Sequence, residues 1–173
     1  MSIRPLAPAG LVVTTLTAAL AACAPATYSP RTPVAAAVFN ENEFAWSRRS
    51  GQAAVEGRVT YAQDGRAYAC VGSAGLTPDT AYTRARFRTL YGSTDRAAVP
   101  AAVVRARTVA DANANYSDYV RSVRCENGRF AFTGLPDGGW FLIVPVTAPG
   151  AEGPVVLMRR VETRGGRTVN LTL

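Results

Sequence analysis

The most chemically suggestive residues of this chain are arginines placed close to a tyrosine. Arg84, Arg86 and Arg88 follow Tyr82 at a spacing of two residues. A guanidinium group holds a phosphate or carboxylate through two parallel hydrogen bonds. We therefore treat Tyr82, Arg84, Arg86 and Arg88 as candidate ligand-binding residues for an anionic or carbohydrate ligand. The alternative is a solvated charged face that binds nothing.

The residue types that are absent exclude much catalytic chemistry. All 19 basic residues are arginines, and the chain contains no histidine. Ser-His-Asp and Cys-His nucleophile systems and the common histidine-ligated zinc sites are therefore excluded, as are lysine Schiff bases. An enzyme would have to use carboxylates such as Asp64, Asp79 or Asp137, which occupy turn-like positions. We predict a protein that is not an enzyme and has no cofactor or metal.

The N-terminus has the pattern of an export signal. Arg4 precedes an apolar run over residues 11–22, and the run ends in Leu20-Ala21-Ala22-Cys23. This pattern resembles the lipobox of bacterial lipoprotein signal peptides. The resemblance implies that residues 1–22 are removed and that the sulfur of Cys23 carries a lipid. The alternatives are an ordinary secretory signal peptide and a buried core helix.

The same segment sets the expected location. A helix of this length spans about 18 Å, less than a bilayer core of about 30 Å, so a permanent transmembrane helix is not expected. Ala24 follows the cysteine, and the resemblance then implies the outer membrane, facing the periplasm. The membrane is thus an expected partner through the lipid. The formal net charge of +7 would suit nucleic acid, but we expect no nucleic-acid partner outside the cytoplasm.

Two further cysteines, Cys70 and Cys125, form an even pair. In the oxidising compartment that the lipobox implies, such a pair predicts a disulfide between an early strand and a middle strand. The bridge would close a loop of about 55 residues and stabilise the fold by about 4 kcal/mol. The alternative is two separate buried thiols.

Composition and periodicity divide the mature chain into two parts. Residues 23–38 are rich in Pro and Ala and indicate an extended tether. Residues 39–173 are expected to form one domain, beginning with a short helix from Asn40 to about Arg48. Strand patterns follow at 55–61, 67–71, 73–77, 103–109, 119–125, around Phe130 and Phe132, and at 140–146, 154–162 and 168–173.

Two segments of this domain are less regular. Residues 79–91 fit a helix and a strand equally well, and residues 92–101 are predicted to be a loop. Asn127-Gly128 is a strong signal for a two-residue hairpin turn. Many short strands separated by turns are typical of a β-sandwich.

One segment resembles a known family. Gly128-Arg129-Phe130-Ala131-Phe132-Thr133-Gly134-Leu135-Pro136-Asp137-Gly138-Gly139-Trp140 is similar to the signature of carboxypeptidase regulatory-like domains, and Val55-Glu56-Gly57-Arg58-Val59 looks like their first strand. The resemblance implies an all-β, Ig-like or transthyretin-like β-sandwich, here with one or two short helices. Hydroxyisourate hydrolase shares that fold, but it needs histidines and a C-terminal Tyr-Arg-Gly-Ser. This chain ends Asn170-Leu171-Thr172-Leu173, so that activity is excluded.

These observations give two expectations for function. The first is a lipid-anchored envelope protein whose non-catalytic domain serves protein interaction or envelope assembly. The second is a surface module that binds an anionic or carbohydrate ligand through its arginines. A broad exposed apolar patch would favour the first, and a salt-sensitive ligand contact would favour the second.

Overall fold

A computed structural model describes residues 37–109 and 115–173, which belong to one compact unit. The predicted signal peptide, the lipidated Cys23 and nearly all of the tether lie outside the described residues. Within these two ranges, no helix is both long and apolar enough to cross a membrane.

The described part of the chain is built mainly from strands. They are β1 (Ala53–Arg58), β2 (Ala62–Gln63), β3 (Arg66–Ala67), β4 (Ala69–Cys70), β5 (Ser73–Pro78), β6 (Arg96–Pro100), β7 (Arg121–Arg124), β8 (Arg129–Leu135), β9 (Gly138–Thr147), β10 (Val155–Thr163) and β11 (Thr168–Thr172). Two α-helices are present, α1 (Ala81–Tyr91) and α2 (Ala101–Ala106). Short 3-10 helices cover Glu41–Glu43, Ala45–Arg48 and Asn115–Tyr119.

The strands form two packed sheets and a small hairpin. The small sheet has the order β11-β1-β8, in which β1 is parallel to β11 and antiparallel to β8. The large sheet has the order β6-β10-β9-β5-β7, with β4 also paired to β9. The hairpin pairs β2 with β3. The predicted β-sandwich is thereby confirmed, and the apolar segment from Trp140 to Val146 is indeed a central strand.

The main core lies between the two sheets. Val55, Phe132 and Leu135 of the small sheet belong to one buried cluster with Trp140 and Leu142 of the large sheet. Alternate residues of a strand point to opposite faces. The intervening side chains of β9 therefore point away from this core and are available to pack another layer.

Helix α1 provides that layer on the outer face of the large sheet. The ring centroids of Phe87 on α1 and Phe141 on β9 lie 4.6 Å apart, and Met158 completes the contact. The helix begins at a capping box in which Thr80 and Thr83 bond reciprocally. It ends at Gly92, whose φ of 73° is the left-handed conformation that favours glycine. These caps and the packing of Phe87 decide the ambiguous segment 79–91 in favour of a helix.

Three expectations for irregular segments need correction. The predicted loop 92–101 contains β6, which pairs with β10 as an edge strand. The predicted strand 103–109 is wrong, because α2 covers Ala101–Ala106 and no strand partner is reached there. The predicted helix from Asn40 is two 3-10 turns, and the Asn40 side chain accepts a hydrogen bond from the Asn42 amide, two residues on.

The predicted disulfide between Cys70 and Cys125 is confirmed, with the two Cα atoms 5.9 Å apart. Cys70 ends β4 and Cys125 directly follows β7, so the bridge links two strands of the large sheet. The backbone amide of Cys125 also donates to the carbonyl of Gly72. The bridge and this hydrogen bond fix the start of the hairpin between β7 and β8.

Candidate ligand-binding groove

The four residues selected from the sequence all lie on α1. Side chains two residues apart on an α-helix point in nearly opposite directions, whereas those four apart share a face. Tyr82 therefore lies with Arg86, and Arg84 lies with Arg88. The structure divides the predicted set into two pairs rather than presenting it as one surface.

Tyr82 and Arg86 belong to an aromatic cluster. The Tyr82 side chain is buried together with Phe44 and Tyr119. Arg86 donates from Nη1 to the Tyr82 hydroxyl at 3.4 Å, and its Cζ lies 4.6 Å from the centroid of the Tyr116 ring. Because Tyr82 is only 3% exposed, its ring is not free to contact a ligand.

Tyr119 of the same cluster makes a polar contact at its rim. Its hydroxyl donates to the Glu41 carboxylate at 2.5 Å, and this hydrogen bond raises the pKa of Tyr119 above its usual value. The guanidinium of Arg48 lies 4.1 Å from the centroid of the Tyr119 ring. These contacts pack the segment before β1 against the 3-10 helix Asn115–Tyr119.

Arg84 is engaged by a buried carboxylate. Asp79 accepts 2.5 Å hydrogen bonds from Nε of Arg84 and from Nε of Arg160, and its side chain is 0% exposed. The ion pairs connect α1 to β10. Arg88, by contrast, is exposed on the helix surface.

Two of the three carboxylates that could have served an enzyme have structural partners. Asp79 is held between two guanidinium groups. Asp137 accepts hydrogen bonds from the backbone amides of Gly165 at 2.7 Å and Gly166 at 3.4 Å, across the turn between β10 and β11. Asp64 lies in the β2–β3 turn with a positive φ of 51°.

A different set of arginines lines a groove at one end of the small sheet, which we call the arginine groove. Its volume is about 670 Å³, and its charged walls are Arg58, Arg124, Arg129, Glu56 and Glu126. The amides of Asn127 and Asn170 also line it. All seven of these side chains belong to exposed residues.

Strand register brings these distant residues together. Arg58 on β1 is directly opposite Arg129 on β8, and Glu56 on β1 is opposite Asn170 on β11. Alternation along the strands places these side chains on the outer face of the small sheet, away from the core.

The hairpin between β7 and β8 completes the groove. Glu126 and Arg129 exchange backbone hydrogen bonds of 2.8 and 2.9 Å around Asn127 and Gly128. Positive φ values of 51° and 74° at these two residues are those of the predicted type I′ turn. This turn carries the chain from β7 in the large sheet to β8 in the small sheet, so Arg124 reaches the same groove.

The three arginines of the groove make no ion pairs with its two glutamates. Among the described residues, no carboxylate lies within 4.0 Å of a guanidinium nitrogen of Arg58, Arg124 or Arg129. Like charges that face each other across an antiparallel pair destabilise a sheet. The Arg58–Arg129 pair is therefore unfavourable by itself, and a bound anion would relieve it.

Sequence reasoning missed this groove because its arginines belong to three different strands. The available signal was the alternation of Glu56 and Arg58 with apolar residues, which places both on the outer face of β1. Nothing in the sequence alone pairs Arg58 with Arg129.

Comparisons with known proteins inform on the fold. No family model and no curated protein matches the chain. It is similar to the crystal structure of a proposed carbohydrate-binding protein from Pseudomonas aeruginosa, with a TM-score of 0.51 and 23% sequence identity. The match covers 78% of this chain and 97% of the other. At this identity the likeness shows a shared fold.

Proposed function

We propose that this chain is a non-catalytic, lipid-anchored envelope protein whose β-sandwich binds a saccharide in the arginine groove. The observation that carries the proposal is an open groove in which three arginines without ion-pair partners among the described residues adjoin two asparagines. The carbohydrate-binding character proposed for the structural neighbour agrees with it.

The chemistry of the groove suits a polyhydroxylated ligand. Sugar hydroxyls both donate and accept hydrogen bonds. The amides of Asn127 and Asn170 do the same, the guanidinium groups only donate, and the carboxylates of Glu56 and Glu126 only accept. The groove therefore offers both kinds of partner to each hydroxyl.

A protein partner is the second function considered, and it has less support. An interaction surface for a protein is marked by a broad apolar patch. In the described ranges, the exposed large hydrophobic residues are Val38, Val71 and Val103, which belong to three separate segments of the chain. These three valines supply no argument for one apolar interface.

Lipid anchoring rests on the N-terminal sequence and is tested separately. The intact mass of protein extracted from membranes is measured for the wild type and Cys23→Ser. We expect the loss of residues 1–22 and a lipid-sized mass gain that requires Cys23. An unlipidated mass in the wild type would make the protein a soluble secreted or periplasmic one.

Saccharide binding is tested by isothermal titration calorimetry of the purified full chain. The probes are mannohexaose, maltohexaose and hexagalacturonate. We expect heat of binding from at least one probe, and its loss in Asn170→Ala, because that exposed amide lines the groove without supporting the core. Asn42→Ala, which alters an exposed asparagine of the first 3-10 turn, is the control. The proposal fails if no probe binds or if Asn170→Ala binds as the wild type does.

A further inference from the structure

We propose that the ligand of the arginine groove is an acidic saccharide, with a sugar carboxylate held between Arg58 and Arg129. This inference rests on the proposed saccharide binding and names the class of sugar.

The first argument is the position of the two arginines. Directly opposed residues of an antiparallel pair have Cβ atoms about 5 Å apart. The side chains of Arg58 and Arg129 can therefore converge on one small group from adjacent strands. A planar carboxylate with two oxygens offers one oxygen to each guanidinium, and such charge-assisted bonds are about twice as strong as neutral ones.

The second argument is the absence of an internal partner. Elsewhere in the described chain, Arg84 and Arg160 share a carboxylate that is 0% exposed. For Arg58 and Arg129 the described residues provide no such partner within 4.0 Å. The fold thus supplies a carboxylate for Arg84 and Arg160 and none for Arg58 and Arg129, which are exposed to solvent.

The third argument is the charge balance, which distinguishes among anions. Three arginines and two glutamates line the groove, which leaves one net positive charge. One sugar carboxylate at the Arg58–Arg129 pair neutralises it, whereas a phosphate monoester carries about two negative charges at neutral pH and is repelled more strongly by Glu56 and Glu126. A sugar carboxylate is therefore favoured over a phosphate.

The fourth argument is the position of the hydroxyl-binding groups. Asn170 lies on β11, which pairs with β1, and Asn127 lies in the β7–β8 turn, two residues before Arg129, so one amide adjoins the strand of each arginine. Neighbouring strands are about 4.8 Å apart. The groove therefore extends over three strands and the adjoining turn, and this extent suits a short oligosaccharide rather than a single small anion.

The experiment compares hexagalacturonate with the neutral galactohexaose on the full chain by calorimetry. We expect the acidic oligosaccharide to bind at least about tenfold more tightly, since a charge-assisted bond is worth that ratio or more. The double variant Arg58→Gln/Arg129→Gln should reduce the affinity for hexagalacturonate by more than about tenfold. It should change the affinity for galactohexaose far less.

A charge-matched control separates a specific site from general attraction to a basic protein. Arg88→Gln/Arg105→Gln removes the same number of positive charges from exposed residues of α1 and α2 that do not line the groove. This control should bind hexagalacturonate as the wild type does. An equal loss in the control would contradict the inference.

Two other outcomes separate the inference from the function on which it rests. If both oligosaccharides bind equally and the Arg58→Gln/Arg129→Gln variant loses both to the same degree, saccharide binding stands but the preference for an acidic sugar is wrong. If hexagalacturonate is displaced by inorganic phosphate at the same concentration, the groove is a general anion site and the inference is again wrong. If neither oligosaccharide binds, the inference and the proposed function both fail.

Thermal unfolding shows whether the double variant remains folded. Because Arg58 and Arg129 are exposed like charges, their replacement should leave the Tm unchanged or raise it slightly at low salt. Loss of binding with a lowered Tm would point to misfolding of the double variant. The single variants Arg58→Gln and Arg129→Gln then show whether the two arginines bind hexagalacturonate. Each should weaken hexagalacturonate binding at an unchanged Tm, and full affinity in both would overturn the inference.

Discussion

Replacing Asp79 by Asn is the change that tests most directly how α1 is held on the sandwich. The Asp79 carboxylate lies at the junction of α1, β9 and β10. Each of its oxygens accepts one 2.5 Å hydrogen bond, from Nε of Arg84 and Nε of Arg160. Its backbone amide donates to the carbonyl of Gly139 at 2.9 Å. Asparagine has nearly the same shape, so the change removes the charge and one acceptor without creating a cavity.

The size of the effect follows from the burial of the three partners. Hydrogen bonds to charged groups contribute about 1.5–3 kcal/mol each, so the two bonds together set an upper limit of about 6 kcal/mol. The side chains of Arg84 and Arg160 are 52% and 37% exposed and regain water when the carboxylate is lost. The asparagine oxygen also keeps one acceptor. We therefore expect Asp79→Asn to lower the free energy of unfolding by about 2–4 kcal/mol.

Urea unfolding followed by circular dichroism measures this difference. We expect the Asp79→Asn variant to unfold at a lower urea midpoint than the wild type, with an unchanged slope. The control is Asp95→Asn, which removes a carboxylate that is 75% exposed and pairs with Arg96. Exposed pairs contribute about 0–1 kcal/mol, so the control should unfold nearly as the wild type does. A change below about 1 kcal/mol for Asp79→Asn would refute the reasoning, because it would mean that the buried carboxylate is dispensable.

Three further predictions concern stability. Reducing the Cys70–Cys125 bridge, whose cysteines are 55 residues apart, should lower the free energy of unfolding by about 4 kcal/mol in urea, and an unchanged midpoint would contradict this. Gly57→Ala would place a Cβ 1.9 Å from Cζ of Phe130 and should cost about 1–3 kcal/mol, whereas Gly75→Ala, with its nearest contact at 3.7 Å, should cost much less. Burial raises the pKa of Tyr91 from 10.0 to about 12. The folded state therefore holds the Tyr91 proton more tightly than the unfolded state does. The resulting contribution to the free energy of unfolding is complete below pH 10 and is lost as the pH rises towards 12. Between these pH values the free energy of unfolding should fall less in Tyr91→Phe than in the wild type.

The elements that could be predicted from the sequence are those with local signals. The apolar run from Trp140 to Val146 identified the central strand, because a strand covered on both faces is apolar along its whole length and this run is short and preceded by a turn cluster. Asn127-Gly128 identified the β7–β8 turn, because these residues adopt positive φ at low cost. The disulfide followed from the two cysteines that remain once Cys23 is assigned to the lipid.

The elements that could not be predicted depend on tertiary contacts. The alternation of Arg84, Arg86 and Arg88 fits a strand as well as a helix. The caps of α1 and the packing of Phe87 on Phe141 decide in favour of the helix. β6 consists largely of small residues and becomes a strand by pairing with β10.

The candidate site was missed for a related reason. Arginines that are two residues apart lie on one face only if the segment is a strand. Because this segment is a helix, they point in different directions. The arginine groove arises instead from register, which places Arg58 opposite Arg129, and from a hairpin that crosses between the sheets to bring Arg124 near them. Register of this kind is set by the packing of the whole sandwich and leaves no local signal in the sequence.

The measurement that tests the central claim most directly is an amide NMR titration of the ¹⁵N-labelled full chain with hexagalacturonate. The account predicts that the amide signals of Arg58, Arg129 and Asn170 shift with ligand concentration, while those from Arg84 to Arg88 on α1 stay in place. Shifts confined to α1, or no shifts at all, would contradict the assignment of saccharide binding to the arginine groove.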